Sequence, residues 1–213
     1  MCQTVGVYHA PRLPLEKVRV DNETSVSMAE KSFAWEPLLR TWSQERLTSA
    51  EYRSVLPDEV IASEWLGYPG AREKEITSAE QRLAMSLPPS YWEFLRVTNG
   101  WRRTSPFIER VWSVEQVKSF AVENQEWIDI WRDTDPDCPE ARYLPSAVQI
   151  SEVGDAAVYL LMPELASGNG ECEVRLLASW RGTAVRYDSF WDLMQAEYAT
   201  FKSIEQPGKI EAP

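Results

Sequence analysis

The chain has 213 residues, 44% hydrophobic and 26% charged, which suits one sizeable globular domain and is short for two. A net charge of −11 with no basic patch argues against binding to nucleic-acid backbones, and three widely separated cysteines form neither a disulfide framework nor a zinc spacing. No basic head followed by an apolar run opens the chain and no window reaches the length of a membrane span, so a cytoplasmic protein is expected.

Residues 1–32 lack sustained periodicity and read as a partly ordered arm. Glu36 to Leu47 reads as a helix, with Pro37 near its start and Leu38, Leu39 and Trp42 on one face. A short helix beginning at Pro57 carries Asp58 and Glu59 where the helix dipole favours anions, and is expected to bury Ile61. Gly67-Tyr68-Pro69-Gly70 is a turn by composition. Arg72 to Met85 forms the next helix, with Ile76, Ala79 and Leu83 inward.

The stretch from Leu87 to Trp101 carries a helix with both boundaries written into it. Pro88 and Pro89 suit a helix start, where a missing N–H costs nothing. Tyr91, Phe94 and Leu95 then share a face, and Asn99-Gly100 can take the left-handed conformation that ends a helix. Beyond it, Phe107 to Trp112 reads as a strand and Ser113 to Gln116 as a capping box. Glu123 to Asp133 is helical, with Trp127, Ile128 and Trp131 on one face and Glu126, Asp129 and Asp133 on the other.

Strands dominate from Tyr143. Ala147–Ser151 and Ala156–Met162 flank the turn residues Gly154-Asp155, and the second run is apolar throughout, as a strand covered on both faces would be. Gly168-Asn169-Gly170 marks a hairpin, after which Cys172, Val174, Leu176 and Ala178 alternate with polar residues. Val185–Tyr187 is a further strand. A final helix starts at Phe190, capped by Ser189, with Phe190, Leu193, Met194, Tyr198 and Phe201 as its apolar stripe. Hairpin-linked strands among helices make the class α+β: one domain over residues 33–203, a mainly antiparallel sheet packed by helices, and a tail from 204 to 213.

Catalytic chemistry is not signalled. The single histidine, His9, falls in the arm, so nucleophilic triads lack their usual base. No Gly-rich loop precedes a Lys-Ser or Lys-Thr pair. Asp133 to Asp137 opens like a calcium loop, but Cys138 and Leu144 stand where glycine and glutamate are required. The expectation is no enzyme, no metal and no cofactor, although acidic pairs are too numerous for counting to dismiss a carboxylate hydrolase.

One segment stands out by charge. Residues 121–140 carry Glu123, Glu126, Asp129, Asp133, Asp135, Asp137 and Glu140 against Arg132 alone, which is over half of the chain's net charge. Acids at 126, 129 and 133 form a stripe on one helix face. It reads either as a solvated face or as a docking surface for a basic partner, with Trp112 as an exposed aromatic anchor beside it.

The string Leu87-Pro88-Pro89-Ser90-Tyr91 followed by Asn99-Gly100-Trp101 resembles the signature of the SUKH superfamily. Trp65-Leu66-Gly67-Tyr68-Pro69-Gly70-Ala71 is similar to its lead-in, and Trp112-Ser113-Val114-Glu115 to the segment after its turn. Asn124 to Ile128, Val148 to Ser151, Gly154-Asp155-Ala156 with Tyr159-Leu160-Leu161, and Tyr187 to Tyr198 resemble later elements in the expected order, so the likeness spans residues 33–201. The resemblance implies a curved antiparallel sheet packed by helices and a binding activity without catalysis. It further implies a bacterial immunity protein that masks a cognate toxin, often a nuclease or other nucleic-acid-modifying enzyme, as a monomer or in a one-to-one complex. The alternative is a non-catalytic regulatory scaffold for endogenous partners, like the superfamily's yeast cell-wall regulator. Residues 1–32 and 133–140 match no pattern of the superfamily, and variable segments are where partner choice would be expected.

Overall fold

Two hydrophobic cores, one on each face of an antiparallel sheet, organise the chain. The computed structural model describes residues 33–134, 139–179 and 184–205. The arm, Asp135, Asp137 and the tail beyond Glu205 lie outside them, as does the side chain of Glu140. Helices α1 (Trp35–Arg46), α2 (Ala50–Arg53), α3 (Asp58–Ser63), α4 (Glu73–Leu83) and α5 (Pro89–Val97) lead. Strands β1 (Trp101–Arg102), β2 (Arg110–Val111) and β3 (Lys118–Ser119) follow, then α6 (Ala121–Thr134) and α7 (Pro139–Tyr143). Strands β4 (Val148–Gln149), β5 (Ala157–Ala166), β6 (Cys172–Ala178) and β7 (Val185–Tyr187) precede the last helix, α8 (Phe190–Glu205).

The main sheet has the order β3-β4-β5-β6-β7, every pair antiparallel, and β1 with β2 forms a separate ribbon. The apolar run of β5 is explained by its central place. Ala157, Tyr159 and Leu161 enter the core packed by α1, α4, α5 and α8, while Val158, Leu160 and Met162 enter the core under α6. Pairing with β6 runs from Ala157↔Ala178 to Met162↔Glu173 and then shifts, at the point where Pro163 has no N–H to give the ladder.

The first core is aromatic. The Trp35 ring meets Phe94 at 5.3 Å and Trp191 at 4.7 Å edge-on, and Phe190 stands edge-on to Tyr91 and Phe94. Such pairs add about 1 kcal/mol each beyond the burial of their area.

Helix α5 is held at both ends. Its N-terminus meets the buried Glu171 at the start of β6: the Ser90 N–H donates to one carboxylate oxygen and the Ser90 hydroxyl to the other, both at 2.7 Å. A carboxylate suits the positive end of a helix dipole. The C-terminus ends differently from the expectation, because Thr98 turns extended and Asn99 acts through its side chain. The Asn99 amide accepts from Val114 N–H at 2.7 Å and donates to Glu115 at 3.2 Å. Gly100 alone takes a positive φ, +111°, and a Cβ there would stand 2.9 Å from the Val111 carbonyl.

Other differences from the sequence reading are local. α3 buries Val60 and leaves Ile61 half-exposed, a one-residue error in a helix of six residues. α2, a single turn capped by Ser49, carried no periodic signal to read. The strand expected over 107–112 shrinks to Arg110–Val111, because Ser105 accepts the N–H groups of Phe107 and Ile108 and holds that part in a turn. The box expected at Ser113 to Gln116 forms only in half: the Ser113 N–H and hydroxyl both donate to the Gln116 side-chain oxygen, while the Gln116 N–H donates to the Ser113 carbonyl, which closes a turn into β3 and starts no helix.

α8 begins at the expected cap, where the Ser189 hydroxyl accepts from Asp192 N–H at 3.2 Å. Near its other end, Tyr198 and Lys202 both donate to the Glu45 carboxylate of α1 at 2.8 Å. Between these points Glu197 is buried, facing the Tyr159 hydroxyl from the sheet. Burial pushes its carboxyl up to about 7, against a smaller opposing pull from that hydroxyl.

Candidate partner-binding surface

The acidic surface is built on α6, and a kink sets where it points. Asn124 leaves helical geometry, at φ −128° and ψ 29°. Its side-chain amide instead donates to the Phe120 carbonyl at 3.1 Å and to Gln149 of β4 at 2.9 Å. Gln149 is buried and donates in turn to the Ser151 carbonyl, so the kink is tied to the sheet. Beyond it the apolar face works as read: Ile128 is buried, and Trp127 and Trp131 pack partly covered against the second core.

The opposite face is acidic, with compensation that the segment alone did not show. Glu126 is exposed. Asp129 accepts from Gln125 at 3.0 Å and from Arg132 at 2.5 Å, and Arg132 lies 3.6 Å from Asp133. Glu123 pairs with Lys118, which comes from β3 outside the acidic segment. Four carboxylates therefore face two cations. Exposed ion pairs of this kind contribute little to stability and remain open to exchange with a partner's charges.

Trp112 requires a correction. Its ring is 8% exposed and belongs to the first core, and the Lys118 ammonium lies 5.0 Å from the ring centre on its remaining side. It cannot serve as an exposed anchor; its contribution is to position Lys118, and through it Glu123. The exposed apolar side chains here are Val122 and Ile130, 71% and 55% accessible. They lie four residues before and after Glu126, with the Asn124 kink between Val122 and Glu126. Ile130 was legible in the sequence, where it interrupts the face of Glu126, Asp129 and Asp133. Of the eight residues expected at the site, the structure gathers Glu123, Glu126, Asp129 and Asp133 on α6 and places Trp112 in the first core, linked to Glu123 only through Lys118. Asp135, Asp137 and the Glu140 side chain lie outside the described residues.

Among the described residues no group of three or more His, Cys, Asp and Glu is placed to hold a metal ion. Nor is any described helix long and apolar enough to cross a membrane. Cys172 is buried and desolvation pushes its thiol up to about 12, which leaves it protonated and unsuited to nucleophilic work.

The family model described as SMI1 / KNR4 family (SUKH-1) matches residues 70–196, more than half of the chain, from the turn before α4 into α8. No curated protein matches the chain.

Proposed function

The chain belongs to the SMI1 / KNR4 family (SUKH-1), and from that membership we propose that it is an immunity protein which binds and neutralises a cognate toxin by covering it. The SUKH family includes toxin-immunity proteins, and its members are generally non-catalytic. The observation that carries the reading is α6, where Ile130 is exposed among Glu126, Asp129 and Asp133, and Val122 is exposed before the kink beside Glu123. Apolar contacts ringed by charge supply affinity at the centre and steering at the rim. Nuclease toxins are basic around their substrate groove, so a rigid acidic helix can occupy the place of a phosphate backbone. The complex is one-to-one and forms in the cytoplasm.

The test is inhibition of the toxin encoded beside this chain, titrated with the purified protein. One equivalent abolishes toxicity, and Glu126→Lys with Asp133→Lys slows association most at low salt. Val122→Ser with Ile130→Ser speeds dissociation. Full protection by the four-residue variant at the original rates removes α6 from the interface. Recovery of housekeeping proteins alone from the native cell supports a regulatory scaffold instead.

A further inference from the structure

A groove lies on the other core, away from α6, and three arginines reach it. It encloses about 750 Å³ between α1, α3, the end of α5 and the loop from Trp65 to Gly70. Val60, Trp65 and Val97 supply apolar wall, while Arg40, Arg96 and Arg102 converge on it against Glu36 and Glu59. Glu73, which pairs with Arg96 from just outside the lining, makes three carboxylates to three arginines, so in a chain of net charge −11 the distinctive charge of the groove is Arg102.

Arg102 is the telling residue. Its guanidinium donates to the carbonyls of Leu66 at 3.0 Å and Gly67 at 2.7 Å and lies 3.7 Å from the centre of the Tyr68 ring. Carbonyls and a ring fix its position without neutralising it, and no carboxylate pairs with it among the described residues. The two rim arginines are paired at exposed positions. Arg40 donates to Glu36 one turn away at 3.0 and 2.8 Å, with both side chains about 60% exposed, and lies 5.6 Å from the centre of the Trp65 ring, while Arg96 reaches Glu73 at 3.9 Å with Glu73 74% exposed. Such pairs yield to a better-placed carboxylate at little cost.

The frame around these charges is rigid. Trp65 stands edge-on to the buried Trp101 at 5.4 Å, and Gly70 lies so close to α5 that a Cβ would come 2.0 Å from the Arg96 carbonyl. A preformed trough keeps the ordering cost of binding on the ligand's side. Because its walls are half-open, it suits an extended chain making many small contacts better than an enclosed small molecule.

We infer that this groove binds an acidic peptide segment, one carboxylate meeting Arg102 and the rim arginines and a neighbouring apolar side chain resting on Trp65. The site is independent of α6, because the two surfaces belong to opposite cores, so two partners of opposite charge can be held at once. Three labelled peptides test it by fluorescence anisotropy at low salt, alternating glutamate with phenylalanine, lysine with phenylalanine, and glutamate with serine. The first binds saturably, the second does not compete with it, and the third binds more weakly. Arg40→Glu with Arg96→Glu, both at exposed positions, weakens the first peptide about tenfold or more, as does Arg102→Gln. Glu126→Lys with Asp133→Lys on α6 leaves its binding unchanged. Absence of saturable binding overturns the inference, as do equal binding of the lysine peptide and indifference to the arginine variants. Self-association abolished by Arg40→Glu with Arg96→Glu, without peptide binding, assigns the groove to a second copy of the chain and overturns it too.

Discussion

Glu197 gives the fold a pH dependence whose sign is unusual for a carboxylate. It is 6% exposed, and burial raises it from an ordinary value of 4.5 to about 7. Below pH 4.5 the group is protonated in both the folded and the unfolded chain and contributes nothing to the pH dependence. Between 4.5 and 7 the unfolded chain releases the proton while the folded chain keeps it, so stability falls as pH rises. Above 7 the loss is complete and levels off. The difference corresponds to about 3 kcal/mol, from 1.36 kcal/mol for each pH decade. The groups facing Glu197 do not confuse the window, because the Tyr159 hydroxyl is itself held far above its usual range by burial. Glu197→Gln keeps the shape and removes the ionisation. Urea unfolding of both proteins from pH 4 to 8 should show the variant gaining on the native chain by about 3 kcal/mol across that window. A stability difference that does not change with pH refutes the reasoning, since the carboxyl would then be titrating normally.

Two further perturbations probe the frame around α5. Glu171→Ala removes both acceptors from Ser90 at the helix start and should lower stability by about 3 kcal/mol, measured by urea unfolding; Glu171→Gln, which keeps one acceptor, should cost less. Gly100→Ala must place a side chain at φ +111° and 2.9 Å from the Val111 carbonyl, so a loss of about 1–3 kcal/mol and a lower melting temperature are expected.

The fold was legible where burial leaves a period. The apolar run Ala156 to Met162 points to a strand covered on both faces, and the spacing of Tyr91, Phe94 and Leu95 to one side of a helix. Ser189 marked the start of α8 correctly because a cap is a local bond that needs nothing from the rest of the chain. What the sequence hid was set by distant partners. Glu171 caps α5 from 81 residues away, and no local pattern announces that. Lys118 neutralises Glu123 from the preceding strand, so a charge count within the helix overstated its field. Aromatics mark interfaces as well as cores, and only its 8% exposure and the Lys118 contact place Trp112 in a core. The groove was the least visible feature, because Arg40, Arg96 and Arg102 are scattered along the chain and meet only once α1, α5 and β1 are assembled.

Coverage of a toxin by α6 is read most directly by amide hydrogen exchange of this protein, alone and with the toxin encoded beside it. Exchange is expected to slow in residues 121–134, with α8 and the central strands unchanged. Inhibition of the toxin with no change in exchange across those residues would contradict it.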